Sequence, residues 1–274
     1  MSRIETCFAR LEAEGRAGLV TFITAGDPDH GTSRDLLLRL PGAGADIVEL
    51  GMPFTDPMAD GPSIQAASLR ALKAGADMTR TLALARDFRA AHRDTPLVLM
   101  GYFNPIHAYG IAAFAEAAAE AGVDGLIVVD LPPEEDRTLR EAAGAHGIEI
   151  IRLATPTTDA VRLPRVLEGA SGFLYYVSVA GVTGTRSAGS ADIGRALAAI
   201  RKATELPIAV GFGIRTAAQV RAIAAHADAV VVGSAIVEAI ATRLDAEGRA
   251  REGLVDGVAR FVADLASGLV AKGA

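Results

Sequence analysis

Residues 45–62 read Ala-Asp-Ile-Val-Glu-Leu-Gly-Met-Pro-Phe-Thr-Asp-Pro-Met-Ala-Asp-Gly-Pro. The run 46–50 is apolar around a single inner acid, Glu49, which is typical of a strand that is covered on both faces of a parallel sheet. The prolines that follow, Pro53, Pro57 and Pro62, are spaced too closely for a helix and predict a stiff, shaped loop. This stretch therefore predicts one strand–loop unit of a parallel α/β fold.

Apolar runs of this kind recur along the whole chain, each followed by a helical pattern rich in Ala, Leu, Arg and Glu. The eight runs are 19–25, 46–50, 97–101, 125–130, 148–154, 173–178, 208–212 and 229–233. Because no linker or change of composition interrupts them, we predict an α/β fold, a (β/α)₈ barrel formed as a single domain by residues 1–274. Extra helices are expected at the N-terminus and over residues 252–269. A doubly wound open sheet is the alternative, since counting strands does not prove closure.

Composition limits the classes of partner and the location. A formal charge of −6 argues against a nucleic-acid or acidic-membrane partner, because both require a basic face. No stretch approaches the roughly 18 continuous apolar residues of a membrane span, and the first residues lack the apolar core of a signal peptide. Cys7 is the only cysteine, so an intrachain disulfide is impossible and a reducing compartment fits. We therefore expect a cytoplasmic location.

Three of the runs share a short internal pattern in which an aspartate directly precedes the apolar residues. These aspartates are Asp46, Asp124 and Asp228. We interpret them as structural groups that cap the entrance of the strands. By contrast, Asp27, in the turn Asp27-Pro28-Asp29 after the first strand, is expected to belong to an ordinary turn.

Glu49 is the strongest candidate for chemistry. A carboxyl group deprived of water has a raised pKa, which brings it towards the range useful for proton transfer. The loop after it adds two further acids, Asp56 and Asp60. The structural alternative is that Glu49 pairs with an arginine and that the loop only turns the chain.

Glycine-bearing loops follow the last three strands. They are Gly181-Val182-Thr183-Gly184, Gly211-Phe212-Gly213 and Gly233-Ser234, the last at a predicted helix start. Each glycine pair alone is usually only a turn, but together they predict a phosphate site, because backbone N–H groups and a helix N-terminus attract anions. Apolar and aromatic residues on strand ends are either core or the wall of a substrate pocket: Phe22, Met100, Tyr102, Tyr175 and Phe212.

The sequence lacks suitably placed side chains for two common aldolase mechanisms. The three lysines, Lys73, Lys202 and Lys272, do not end a predicted strand, so a Schiff-base nucleophile has no candidate. The five histidines show no clustered ligand spacing, which disfavours a metal-dependent aldolase. Carbon–carbon bond chemistry on this chain would have to rely on carboxyl groups.

The stretch that begins at Glu49 and ends at Pro62 resembles the signature of tryptophan synthase alpha subunits, and the resemblance runs from about residue 15 to about residue 240. It implies reversible cleavage of indole-3-glycerol phosphate to indole and glyceraldehyde 3-phosphate. Glu49 matches the family's catalytic acid/base. Asp60 matches the second catalytic acid, which accepts a hydrogen bond from the indole N–H group.

The same resemblance assigns the other positions. It places Phe22, Met100, Tyr102, Tyr175 and Phe212 in the indole-pocket wall, and Gly184, Gly213, Gly233 and Ser234 in the phosphate grip. Thr183 matches a mobile loop that contacts Asp60, Asp56 matches a contact with the beta subunit, and Val179 stands where some members have arginine. The resemblance implies an alpha2-beta2 complex in which pyridoxal phosphate belongs to the beta subunit, with no cofactor or metal in this chain.

The sequence leaves three alternative functions to consider. An indole-glycerol phosphate synthase would need a lysine on a strand end, which the sequence lacks. A stand-alone lyase that releases free indole would use the same residues without a partner. A catalytically inactive barrel acting as a scaffold is disfavoured by the intact Glu49, Asp60 and glycine loops.

Overall fold

The computed structural model describes residues 1–178, 190–211 and 213–269. Within these residues, nine strands form one sheet in the order β5-β4-β3-β2-β1-β9-β8-β7-β6, and every pairing is parallel. The strands are β1 (Gly18–Thr24), β2 (Ile47–Gly51), β3 (Leu97–Gly101), β4 (Gly125–Val128), β5 (Glu149–Ile150), β6 (Arg152–Ala154), β7 (Leu174–Val177), β8 (Ile208–Gly211) and β9 (Ala229–Val232).

The sheet closes on itself through its two terminal strands. β5 pairs with β4 and β6 pairs with β7, and only Ile151 separates β5 from β6 in the chain. The Ile151 N–H donates to the Leu126 carbonyl at 2.9 Å, so the ladder to β4 continues through the interruption. The predicted (β/α)₈ barrel is confirmed and the open sheet was wrong. The main difference is that the fifth predicted strand is divided into two short pieces, while other strand bounds shift by one or two residues.

Helices surround this barrel, and the N-terminal one closes its amino end. In the described ranges they are α1 (Arg3–Ala13), α2 (His30–Arg39), α3 (Pro62–Lys73), α4 (Met78–Ala91), α5 (Phe103–Tyr109), α6 (Ile111–Glu120), α7 (Arg137–Ala145), α8 (Leu163–Leu167), α9 (Ser190–Ile200), α10 (Ala217–Ala224), α11 (Ser234–Ala241) and α12 (Leu254–Ala266). The C-terminal α12 packs outside the barrel against α2, α10 and α11. In the described parts of the chain, no helix is both long enough and apolar enough to cross a membrane.

The N-terminal helix α1 packs against residues of the barrel interior. Ser2 and Glu5 form a reciprocal capping box at its start, which satisfies N–H groups that would otherwise lack partners. Its apolar face, with Ile4 and Phe8, packs on interior residues of the strands, and the Phe8 ring lies 5.7 Å from that of Phe173. This end of the barrel is therefore packed core.

The three repeated aspartates cap strand entrances, as predicted. The Oδ2 atoms of Asp46, Asp124 and Asp228 accept hydrogen bonds of 2.8–3.0 Å from N–H groups at the start of neighbouring strands, those of Leu19, Leu97 and Ile208. Each carboxylate also pairs with arginine: Asp46 with Arg10 and Arg16, Asp124 with Arg3 and Arg89, and Asp228 with Arg201.

Candidate active site

Glu49 lies on β2, with Phe22 of β1 and Val98 of β3 as its partners in register. It is only 1% exposed, and its Oε1 atom has no hydrogen-bond partner among the described residues. Burial raises the pKa of Glu49 to about 8, which keeps the carboxyl group largely protonated at pH 7. No ion pair from the described part of the chain reaches this carboxyl group, in contrast to the structural alternative considered above.

A cavity of about 400 Å³ lies in front of Glu49, at the carboxyl ends of the strands. This is the face where barrels of this architecture carry their chemistry. Its described lining is mostly apolar and comprises Phe22, Glu49, Ala59, Asp60, Gly61, Pro62, Ser63, Ile64, Met100, Val129, Leu153, Tyr175, Val177, Gly213, Ile214, Arg215, Val231, Gly233, Ser234, Ala235 and Glu238. A few polar groups around an apolar slot are typical of a small-molecule site.

Asp60 lines the same cavity from the loop between β2 and α3. It is partly buried, and that burial raises the pKa of Asp60 to about 6, while the Tyr102 hydroxyl opposes the shift. The Tyr102 hydroxyl accepts a 3.0 Å hydrogen bond from the N–H of Ala59. The Phe54 ring lies 5.4 Å from the Tyr102 ring, so the loop is fastened to the end of β3 at two points.

Gly213, Gly233 and Ser234 line the same cavity. Gly213 has φ +74°, a left-handed conformation that a side chain would strain. Gly233 precedes α11, whose first N–H groups have no intrahelical partner. Such groups are suited to an anion.

Glycine also makes room for the aromatic wall. A Cβ atom on Gly51 would lie 2.5 Å from the Phe22 Cζ atom. A Cβ atom on Gly211 would collide with the Tyr175 hydroxyl. These two positions therefore set where the Phe22 and Tyr175 rings lie in the cavity wall.

The structure brings together most of the sequence-predicted site residues. Glu49, Asp60, Phe22, Met100, Tyr175, Gly213, Gly233 and Ser234 all line the cavity. Tyr102 lies in an adjoining small void with Asp60. Asp56 is exposed on the loop, near the 85% exposed Met58. Thr183, Gly184 and Phe212 lie outside the described residues.

Sequence reasoning missed several lining residues. Ile64, Val129, Leu153, Val177 and Val231 add apolar surface. The sequence analysis also missed a cluster of three polar residues, Ser63, Arg215 and Glu238. The Arg215 guanidinium donates to both carboxylate oxygens of Glu238, and Ser63 Oγ donates to Glu238 Oε1 at 2.7 Å. These hydrogen bonds, first that from Arg215, lower the pKa of Glu238. The sequence did offer one signal for this cluster: Arg215 follows Gly213, a predicted phosphate-site residue, by only two positions.

Asp27 is also not part of an ordinary turn. It is 1% exposed, and the Arg70 guanidinium of α3 donates to its two oxygens at 2.7 and 2.9 Å. Burial nevertheless raises the pKa of Asp27, with Arg70 opposing the shift. The pair ties the loop after β1 to the helix that follows the acidic loop.

A larger cleft of about 720 Å³ lies at the amino end of the barrel, beside α1. Its lining includes Asp228 and Arg201, which pair with each other at 2.7 Å. Asp228 also caps β8. Arg201 and Asp228 therefore have structural partners, whereas the Glu49 Oε1 atom has none among the described residues. In the described ranges no group of three or more His, Cys, Asp or Glu residues is arranged to hold a metal ion.

Comparison with known proteins gives one consistent family. A family model described as the tryptophan synthase alpha chain matches residues 8–263. The tryptophan synthase subunit alpha of Legionella pneumophila is 36% identical, with TM-score 0.89 and 98% of each chain covered. An Aquifex aeolicus structure is 34% identical, with TM-score 0.87, covering 98% of this chain and 99% of that chain. A chain of a ligand-free tryptophan synthase variant from Mycobacterium tuberculosis is 33% identical, with TM-score 0.85 and coverage of 98% and 99%.

Proposed function

The chain belongs to the tryptophan synthase alpha chain family, the indole-3-glycerol phosphate lyases, and we propose that Glu49 and Asp60 perform that cleavage here. The family works with a beta subunit and needs no cofactor of its own. The reaction splits indole-3-glycerol phosphate into indole and glyceraldehyde 3-phosphate. One C–C bond breaks, the indole C3 carbon gains a proton, and the adjacent side-chain hydroxyl loses one as it becomes the aldehyde.

The observation that carries this assignment is the burial of the Glu49 carboxyl group, whose Oε1 atom has no partner among the described residues, in the wall of a mostly apolar cavity. A pKa of about 8 leaves most of the carboxyl group in its acid form at pH 7. In that form it donates a proton to indole C3, and the ring then becomes the electron sink for C–C cleavage. Glu49 in its ionised form then takes up the hydroxyl proton, so the residue ends the cycle as it began.

Asp60 has the complementary role. Its pKa of about 6 leaves it mostly ionised at pH 7. An ionised carboxylate accepts a hydrogen bond from the indole N–H group and stabilises the positive charge that develops on the ring when C3 is protonated. Two carboxyl groups of one cavity with pKa values on opposite sides of neutrality are the usual sign of an acid and an electrostatic partner.

The two ends of the substrate match two kinds of surface in the cavity, one aromatic and apolar and one with glycine N–H groups. We assign the indole ring to the wall formed by Phe22, Met100 and Tyr175. Tyr102, which lies in the adjoining void with Asp60, and Phe212 are added to this wall by the family resemblance. The phosphate group goes to the N–H groups around Gly213, after β8, and around Gly233 and Ser234, at the start of α11. The resemblance adds Gly184 to this grip and Thr183 to the loop that meets Asp60.

The partner assignments are also proposals. We propose an alpha2-beta2 complex, in which the exposed loop that carries Asp56 contacts the beta subunit, with pyridoxal phosphate held there. Acidic composition supports the absence of a nucleic-acid or membrane partner, and the single cysteine supports a cytoplasmic location. We further propose that residues 1–274 form a single domain, which the continuous barrel ladder supports.

Indole release is the direct test. Purified chain is supplied with indole-3-glycerol phosphate, with and without a beta subunit, and indole is quantified. We expect release in both mixtures and faster release in the complex. No release even with the beta subunit would refute the lyase assignment, and equal rates in a demonstrated complex would refute coupling to the partner.

A further inference from the structure

The cavity has an unusual balance of charge for a site that takes a phosphorylated substrate. Its described lining carries three carboxyl groups, Glu49, Asp60 and Glu238, and one cationic side chain, Arg215. A phosphate group brings up to two negative charges into this surrounding. N–H groups at a helix start supply only partial charge, so among the described lining residues Arg215 is the only full positive charge that can meet the phosphate.

Arg215 lines the cavity together with Gly213, Gly233 and Ser234, the residues assigned to the phosphate group. It follows the left-handed Gly213 by two residues. Its guanidinium donates to both Glu238 oxygens, and Glu238 lies one helical turn after Ser234 on α11, about 6 Å along the axis. Side chains lean towards the N-terminus of their helix, so the Glu238 carboxylate leans towards Ser234 and brings the guanidinium with it.

The end-on pair with Glu238 leaves donors free on Arg215. A guanidinium has five N–H groups in a fixed fork, and the two bonds to Glu238 use one from each terminal nitrogen. Three N–H groups remain, enough to bind phosphate oxygens while the carboxylate contact persists. Ser63 Oγ donates to Glu238 at 2.7 Å and fixes that carboxylate from α3.

We propose that Arg215 is a specificity-determining residue that binds the phosphate group of the substrate, with Glu238 and Ser63 as its positioning residues. The proposal rests on the lyase function proposed above. An alternative role is electrostatic shielding: Arg215 would only neutralise Glu238, which would otherwise repel the phosphate. Both roles predict weaker substrate binding when Arg215 is removed, so the test has to separate them.

The test is a double-mutant cycle with R215Q, E238Q and the R215Q/E238Q double variant. We expect R215Q to raise KM for indole-3-glycerol phosphate about 10-fold, the value of one charge-assisted hydrogen bond in a half-exposed place, with kcat within about threefold. In the reverse reaction, KM for glyceraldehyde 3-phosphate rises equally and KM for indole stays unchanged. R215K is expected to recover part of the affinity because it keeps the charge without the fork.

The E238Q background decides between the two roles. If Arg215 binds phosphate, R215Q still raises KM at least fivefold when Glu238 is already neutral. If the effect of R215Q disappears in that background, Arg215 only shields Glu238 and the proposal is overturned. An unchanged KM in R215Q alone overturns it as well.

Two controls keep the result interpretable. R249Q removes another exposed arginine, paired with Asp245 at 2.9 Å, and is expected to leave all constants unchanged. Calorimetry with inorganic phosphate measures the affinity of wild type and R215Q without turnover, and we expect about a 10-fold loss in R215Q; equal affinities would count against the proposal. Wild type that releases no indole refutes the lyase function, whereas active wild type with unaltered R215Q refutes only the role of Arg215.

Discussion

The Tyr102 hydroxyl accepts a 3.0 Å hydrogen bond from the backbone N–H of Ala59, the residue directly before Asp60. This contact joins the end of β3 to the proline-braced loop that carries the second acid. The prolines stiffen the loop internally, but they do not determine where it lies relative to the barrel. Tyr102 therefore acts as a positioning residue for Asp60.

We expect Tyr102→Phe to lower kcat/KM for indole release by about 5- to 30-fold, because Ala59 loses its acceptor and the loop loses its anchor. The hydroxyl also opposes the rise in the pKa of Asp60, so its loss should move the acidic limb of the pH profile to higher pH. Both effects are measured from kcat/KM at several pH values. If the variant has wild-type kcat/KM and the acidic limb of its pH profile stays in place, Tyr102 contributes only to the wall of the cavity and does not position Asp60. Phe54→Leu removes the ring contact and keeps the hydroxyl, so its acidic limb should stay at the wild-type pH, which makes it the matched comparison.

Glu49→Gln and Asp60→Asn test the two proposed catalytic acids. Each is expected to lower kcat by about 10²- to 10⁴-fold, since one removes the proton donor and the other the carboxylate that meets the ring. Circular dichroism should remain that of the wild type, because both replacements are nearly isosteric. Turnover near the wild-type rate in either variant would remove that residue from the mechanism.

The pH dependence of kcat/KM should be bell-shaped. Activity requires ionised Asp60, whose pKa is raised to about 6 by burial, and protonated Glu49, whose pKa is raised to about 8 by burial. The acidic limb should therefore lie near pH 6 and the basic limb near pH 8. A phosphate group also titrates near pH 6, so the residual activity of Asp60→Asn is the control. If its acidic limb is unchanged, that limb belongs to the substrate.

The sequence predicts the barrel and the position of Glu49 because both depend on local pattern. A continuous apolar run requires cover on both faces, and an acid inside such a run is buried wherever the strand goes. The division of the fifth strand at Ile151 was not predictable in this way, since nothing in that run differs from an unbroken strand. It is set by the way the strand meets its two neighbours.

Contacts between distant segments were likewise beyond the sequence. Asp27 and Arg70 are 43 residues apart, and Arg215 and Glu238 are 23 apart. Either partner alone resembles an ordinary surface charge, and only the packing of neighbouring strand–helix units brings them together. The apolar lining residues Val129 and Leu153 were missed for another reason, because they have the composition of any core strand.

Glu49 should also make stability depend on pH. Burial raises its pKa from 4.5 to about 8 in the folded state, so the folded chain holds this proton more tightly than the unfolded chain does. That contribution is fully present below pH 4.5 and is lost as the pH rises through 8. Glu49→Gln does not titrate, so its stability relative to wild type should increase over this range, on the order of 2–4 kcal/mol at pH 8.5.

Urea unfolding of wild type and Glu49→Gln at pH 5.5 and pH 8.5 measures this difference. Groups that titrate in both proteins cancel in the comparison. Glu141→Gln is a control of opposite sign, because the hydrogen bond from Arg137 lowers the pKa of Glu141. That variant should gain nothing at alkaline pH. A stability difference between Glu49→Gln and wild type that does not grow with pH would mean that Glu49 is hydrated in solution.

Asp124 and Asp228 occupy equivalent positions at two strand entrances but differ in burial. The Asp124 side chain is 5% exposed and pairs with Arg3 and Arg89, whereas the Asp228 side chain is 26% exposed and pairs with Arg201. Asp124→Ala removes the carboxylate that pairs with the partly buried Arg89 guanidinium, which keeps only its backbone carbonyl acceptors, and it leaves the first N–H of β3 without its acceptor. It should lower the free energy of unfolding by about 3–5 kcal/mol.

Asp228→Ala removes a more hydrated group, so we expect a loss of about 1–2 kcal/mol. Urea unfolding of both variants gives the comparison, with KM for indole-3-glycerol phosphate as the functional control. KM should stay at its wild-type value in both, because these aspartates lie at the end of the barrel away from Glu49. Equal losses in the two variants would show that arginine pairing, rather than burial, determines what each aspartate contributes.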